Sequence, residues 1–291
     1  MESNAAKAQK EQVADLYNRV APNYGRVGPD LFAPFGRWLV NCIDPSRGAQ
    51  VLDVATGRGA VLFAAAEKVG SDGKVVGIDL AEYMVRLTAT DIVRQQVKNA
   101  TILQMDAEHL GFPDGSFDAV LCAYALFFFP HIEQALAEFS RVLRPGGKLG
   151  VSVPDAGDER WQWYWELLVA YHEQYHFSLD QGGPFLDLPT VMALFSRAGF
   201  VEIETHTQAC EFLYANEQDW WASKWAEAAR FPFERIPPDA LEHFKADVFK
   251  QMATLKQSDG FHYRRNARCF LGIKPADERL LSPGKRSPLG R

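Results

Sequence analysis

Between Val51 and Pro154, short apolar runs alternate with amphipathic stretches. The runs are VLDV (51–54), KVVGID (74–79), ATILQMD (100–106), FDAVLCAY (117–124) and KLGVSVP (148–154). Near-continuous apolar runs of this length predict strands buried on both faces of a parallel sheet. Between them, 83–97 sets Val85, Ala89, Ile92 and Val93 on one helical face, and 131–144 does so with Ile132, Leu136, Phe139 and Leu143. Turns rich in Gly, Asp and Pro precede the strands: SDGK (71–74), PDGS (113–116) and RPGGK (144–148). Strand–helix alternation with such turns predicts a doubly wound α/β sheet.

The texture changes after Pro154. An aromatic-rich stretch, DERWQWYWELLVAYHEQYHF (158–177), predicts a helix inserted as a cap over 156–182. Over 183–213 the chain returns to the sheet through LPTVMALFSRAGFVEIETH (188–206), where Gly199 stops the helix. A second helical cap is expected over 214–260. The last strand falls within 261–275, its strand-like part being ARCFLGIKP (267–275). The Pro/Gly-rich, weakly basic end, 276–291, is expected to be disordered. The first 155 residues then hold an N-terminal helix (about 5–20) and the main α/β part.

Composition narrows the partners. The 291 residues are 47% hydrophobic and 23% charged, an ordinary globular balance with a net charge of −6. There is no basic stripe outside the tail, so no nucleic-acid partner is expected. MESNAAKAQKEQ lacks a signal-peptide core, and no apolar run is long enough for a transmembrane segment. Cys42, Cys122, Cys210 and Cys269 are scattered and form no Cys-x-x-Cys pair. They read as reduced thiols of a cytoplasmic protein, with a homo-oligomer left open.

Candidate chemistry sits at the strand ends. The first strand closes on Asp53-Val-Ala55-Thr-Gly57-Arg-Gly59, where glycines allow a sharp turn and a ligand close to backbone. A dinucleotide fingerprint would need a third glycine at Leu62, so a phosphate-cradling site fits poorly. Asp79 ends the second strand, about 20 residues beyond Gly59, where a carboxylate takes ribose hydroxyls. Asp106 ends the third. Each alone reads equally well as a cap or turn residue. Together, with no lysine or phosphate motif among them, they suit a cationic adenosine ligand.

These residues carry a specific resemblance. VLDVATGRG and VVGIDLAEYMV resemble the first two motifs of class I S-adenosylmethionine-dependent methyltransferases. MDAEHLGFPDGSFDAVLCAYAL and RVLRPGGKLGVSVP resemble the later ones, and APNYGR and GGPFL…LFSRAGFVEIE resemble segments of the ubiquinone/menaquinone C-methyltransferase-like group. The resemblance implies a Rossmann-like, seven-stranded, mostly parallel sheet with helices on both faces and inserted helical caps. It implies S-adenosylmethionine as methyl donor, with no metal. Asp53, Ala55, Gly57 and Gly59 would line its methionine end; Asp79 would bind the ribose, with Leu80 and Met84 beside the adenine. Asp106 and Ala107 would meet the adenine edge, Cys122 and Ala123 would close the pocket, and Tyr24 would cover the sulfonium. Ala55 departs from the glycine many relatives carry.

The acceptor is less legible. Where many relatives carry His after the fourth strand, this chain has Leu126-Phe-Phe-Phe129-Pro130. These Phe residues read as core, yet three in a row cannot all face one way, so one is expected at the cavity. The implied acceptor is a small, largely apolar metabolite (quinol, phenol, isoprenoid or indole-like), methylated on carbon, oxygen or nitrogen. Tyr24, His172 and His176 are the candidate catalytic groups. His172-Glu-Gln-Tyr-His176 also matches the H-E-x-x-H zinc protease pattern, though the extended form fails at Leu179 and Gly182. Trp161, Trp165, Leu168 and His172 form an i, i+4 stripe, read as packing or as a lid over the cofactor. A non-catalytic, donor-binding assembly protein is the remaining alternative.

Overall fold

The computed structural model describes residues 3–177 and 186–276. Seven strands run β1 (Gln50–Val54), β2 (Lys74–Asp79), β3 (Ala100–Gln104), β4 (Phe117–Ala123), β5 (Leu143–Pro154), β6 (Val201–Tyr214) and β7 (Phe261–Ile273). They join in one sheet in the order β3-β2-β1-β4-β5-β7-β6. β1 to β5 pair in parallel, and β7 is antiparallel to both neighbours. The strand order reverses at β1, between β2 and β4, which is where a sheet of this kind opens a crevice at its carboxyl edge.

Helices α1 (Asn4–Val20), α2 (Ala33–Ile43), α3 (Ala60–Val69) and α4 (Glu82–Arg94) precede α5 (Ile132–Val142). After β5 come α6 (Gln162–Tyr175) and α7 (Leu188–Arg197), and between β6 and β7 lie α8 (Glu217–Trp225), α9 (Arg230–Phe233) and α10 (Pro238–Met252). One face of the sheet buries Val120, Leu136, Phe139, Val151, Phe195 and Phe270 under α5 and α7. The other buries Leu39, Ile43, Val51, Leu62, Leu121 and Cys269 under α2 and α3. The two latter helices approach so closely that a Cβ on Gly36 would stand 2.5 Å from the Ala60 carbonyl oxygen.

The cap has its own core, including Trp161, Leu168, Trp220, Phe233, Phe244 and Phe261. It is tied to the N-terminal helix: Phe231 packs with Leu16, Val20 and Met84, and Arg19 pairs with Glu234 at 2.8 Å. Among the described residues, no helix is long and apolar enough to cross a membrane.

Two boundaries sharpen. β7 fills the expected 261–275 span from Phe261, ahead of the apolar run at 267, because β6 pairs with it from Tyr214↔Phe261 through Glu204↔Leu271. Its first residues, HYRRN (262–266), are polar. In the first cap, Glu159–Trp161 form a 3-10 turn, and the α-helix starts only at Gln162. The ends of the expected cap (178–182), the start of the return segment (183–185), including most of GGPFL, and the tail beyond residue 276 lie outside the described residues.

Candidate active site

β1 delivers Asp53 to the carboxyl edge, and the chain then turns into α3. The turn is made of left-handed residues: Ala55 (φ 54°), Gly57 (φ 54°) and Gly59 (φ 86°). Only a residue without Cβ enters that region at no steric cost, so Ala55 carries a local strain that Gly57 and Gly59 avoid. The Gly57 N–H donates to Asp79 Oδ2 (2.8 Å) and the Ala81 N–H to Oδ1 (2.9 Å). The glycine turn and the acid of the second strand are thereby locked together.

Both acids are buried. Burial lifts Asp53 to about 8, helped by the nearby Asp79 charge, and lifts Asp79 to about 6 against the pull of its backbone donors. Asp53 Oδ2 has no hydrogen-bond partner among the described residues. A buried carboxyl oxygen without a partner is costly, and it fits a site that a cationic ligand completes.

Two cavities meet at this point. A groove of about 760 Å³ reaches Asp53, Gly57 and Gly59, and a smaller pocket of about 90 Å³ reaches Asp79, Leu80, Asp106 and Ala107. Tyr24, Ala55, Gly57, Ala123 and Tyr124 line both. Tyr24 stacks on Phe32 with ring centroids 4.4 Å apart. Phe128 and Phe129 line the smaller pocket, while Phe127 packs against the core.

The remaining expected residues stand elsewhere. Met84 is in the core between α1 and α4, and Cys122 is in the core beneath the sheet, so neither side chain lines the pocket. His172 and His176 are not brought to either cavity. α6 stops at Tyr175; His176 follows in left-handed conformation and is exposed, and His172 Nδ1 meets the Phe177 carbonyl oxygen. Among the described residues, no group of three or more His, Cys, Asp or Glu is placed to hold a metal ion. The aromatic stripe also moves: Trp161 is buried in the cap core, and Trp165 is 58% exposed.

The cover over the smaller pocket comes instead from α1, through Lys10, Val13 and Tyr17. These residues recur at i, i+3 and i+7, so they share one helical face, a signal present in the sequence once the helix is drawn. Lys10 also changes the reading of Asp106 as one of a lysine-free set of acids. Its ammonium bridges Asp106 Oδ2 (2.7 Å) and the buried Glu108 Oε2 (2.6 Å), while the Glu108 N–H donates to Asp106 Oδ1 (2.9 Å). Glu108 in turn accepts from the His131 N–H (2.7 Å). The acid at the third strand thus holds α1 down, and its neighbour Ala107 offers the pocket wall.

An orphaned carboxyl oxygen, a second buried acid beside it, a glycine turn and an aromatic cover suit a ligand with an ammonium, a ribose and a sulfonium. Residues 52–151 match the family described as methyltransferase domain. Nocamycin O-methyltransferase of Saccharothrix syringae is 31% identical over 251 residues, which is 81% of this chain and 89% of that protein. Aklanonic acid methyltransferase of Streptomyces sp. (strain C5) is 41% identical over 145 residues, 50% of this chain and 66% of that protein. Among solved structures, the YcgJ protein of Bacillus subtilis shares the fold with a TM-score of 0.58 at 19% identity, covering 84% of this chain and 100% of that one.

Proposed function

Since this chain belongs to the class I S-adenosylmethionine-dependent methyltransferases, we propose that the joined cavities at the carboxyl ends of β1, β2 and β4 hold the methyl donor and present its sulfonium to a small-molecule acceptor. The observation that carries this placement is the pairing of buried Asp53 and Asp79 across the glycine turn. Asp53 faces the ammonium of the methionine end, and Gly57 and Gly59 bring backbone against it. Asp79 keeps lone pairs for the ribose hydroxyls, Leu80 and Ala107 flank the adenine, and Ala123 completes the wall.

When bound, S-adenosylmethionine supplies an electrophilic methyl group whose leaving group is a neutral thioether. The protein's share is therefore alignment and exclusion of water. α1 and Phe128 roof the pocket, and the Tyr24 ring shields the reacting side. Burial, with Tyr17 and Glu227 nearby, pushes the Tyr24 hydroxyl well above the ordinary tyrosine range, which favours its protonated form over a role as base. The name of nocamycin O-methyltransferase supports oxygen as the methylated atom.

S-Adenosylhomocysteine is expected to bind with roughly micromolar Kd in calorimetry, and Asp79→Ala should weaken it by about 1.5–3 kcal/mol by removing charge-assisted hydrogen bonds. Unchanged affinity in the folded variant would take Asp79 out of the site.

A further inference from the structure

β7 rises past the sheet edge on the side where the cavities lie. Its last pair with β5 is Pro154↔Ala267, so Arg265 stands two residues, or roughly 7 Å, beyond that edge. Strand alternation gives Arg265 the same face as Ala267. Tyr124, which lines both cavities, packs against the cluster that contains Ala267. Arg265 therefore stands above the carboxyl edge on the face that Tyr124 packs against.

Its surroundings are unusual for an arginine. It is half-buried, with 26% of its side-chain surface accessible, so its guanidinium can still meet a ligand. Its single ion pair among the described residues is with Glu227 Oε2 at 3.5 Å, and no hydrogen bond from the guanidinium is formed there. Glu227 is already held by Lys224, and both are buried. Two cations share one carboxylate, which leaves one positive charge uncompensated within this group. Tyr17 and Tyr24 are within electrostatic reach of Glu227, Arg265 and Asp79 alike. The Tyr124 hydroxyl is buried with no partner among the described residues. Interior cations and hydroxyls left this way favour an anion that satisfies them.

We propose that Arg265 anchors an acidic oxygen of the methyl acceptor, a carboxylate, enolate or phenolate, with the Tyr124 hydroxyl donating beside it. The assignment rests on the methyltransferase reading and changes the acceptor class: an aromatic or apolar body that carries an anionic handle. The guanidinium fork matches such an oxygen pair, and the excess charge sets the preference for the ionised form. Glu227 acts as the counterweight that keeps the chamber stable when empty.

The test uses the full chain saturated with S-adenosylhomocysteine, and calorimetry with three matched pairs: benzoate, 2-naphthoate and anthraquinone-2-carboxylate, each against its neutral carboxamide. At least one acid should bind roughly tenfold or more tightly than its amide. Arg265→Met should erase that preference with the amide's affinity unchanged, and Arg265→Lys should restore part of it. Glu227→Gln should tighten the acid and leave the amide alone, a gain that structural damage cannot imitate. No acid preference in any pair, including no binding at millimolar concentration, overturns the assignment, as does an Arg265→Met variant that weakens acid and amide alike. S-Adenosylhomocysteine binding is read in the same experiment: its loss in the wild type would instead overturn the methyltransferase placement.

Discussion

At Asp53, burial and a second carboxyl nearby both oppose ionisation. The group is pushed up to about 8, with burial the larger cause and Asp79 adding to it. Near neutral pH it therefore holds a proton in the free protein. An ammonium arriving at Oδ2 favours the carboxylate, so donor binding should expel that proton. Affinity for S-adenosylhomocysteine should then rise as pH increases toward about 8 and level off above it. Calorimetry in two buffers of different ionisation enthalpy would show net proton release near neutral pH, and Asp53→Asn should remove most of it. Release of the same size in that variant would move the coupling to another group. Asp53 and Asp79 were legible as strand-end acids because strand ends can be read from apolar runs; Asp106, expected to end the third strand, stands two residues beyond β3, which closes at Gln104. The partner of Asp106 was not legible, because the Lys10 bridge spans 96 residues and depends on how α1 docks.

The aromatic helix shows how an element can be found and its phase misread. A stripe through Trp161 and Trp165 assumes that both are helical, but Trp161 belongs to the 3-10 turn that precedes α6. Within the helix, Leu168 and Tyr171 are buried, and Tyr164, Leu167 and Tyr175 pack beside them. Trp161 and Leu168 of the assumed stripe are buried, but Tyr164 and Tyr171 pack in place of Trp165 and His172, and Trp165 is exposed. Trp220 is the cap's anchor, 1% exposed and stacked on Trp161 with centroids 5.3 Å apart. Trp220→Ala should cost about 3–5 kcal/mol in denaturant unfolding, as for other large core truncations, whereas Trp165→Ala should stay within about 0.5 kcal/mol. Equal losses would show that the two tryptophans share a buried environment. The parallel strands could be read because β1, β2, β4 and β5 are largely buried and the edge strand β3 still carries an apolar run. β7 was only half visible, since apolar runs mark a strand's core-facing part and not HYRRN, which rises out of the core beside the site. α2 had a readable signal in Pro34 at its start and Phe35, Leu39, Val40 and Ile43 along one face.

For the molecule as a whole, the site's chemistry opposes stability, and pH separates the two. Asp106 and Glu108 are held below the usual carboxylate range: burial works against them, but Lys10 outweighs it. Asp91 is likewise lowered, burial being overcome by Arg58 and Arg26. Such depressed groups supply stability that is present above their unfolded values, near 4, and lost in acid. Asp53 and Asp79 run the other way. Their folded values, about 8 and about 6, lie above the unfolded one, so the folded chain binds more protons across that interval. Their contribution is complete below about pH 4 and drains away as pH rises through 6 and then 8. The ligand-free protein should accordingly lose Tm between about pH 5 and 8, after the acid-side rise is complete. Asp53→Asn, neutral throughout, should flatten the upper part of that decline and leave the acid-side rise intact. Saturation with S-adenosylhomocysteine should do the same, because its ammonium replaces the missing partner of Asp53 and adds binding energy that grows with pH. Thermal unfolding of wild type, variant and ligand-bound protein across this range measures all three slopes together. A wild-type Tm that is level or rising through pH 8, or a variant with the wild-type slope, would mean that Asp53 is ionised in the folded protein and already compensated.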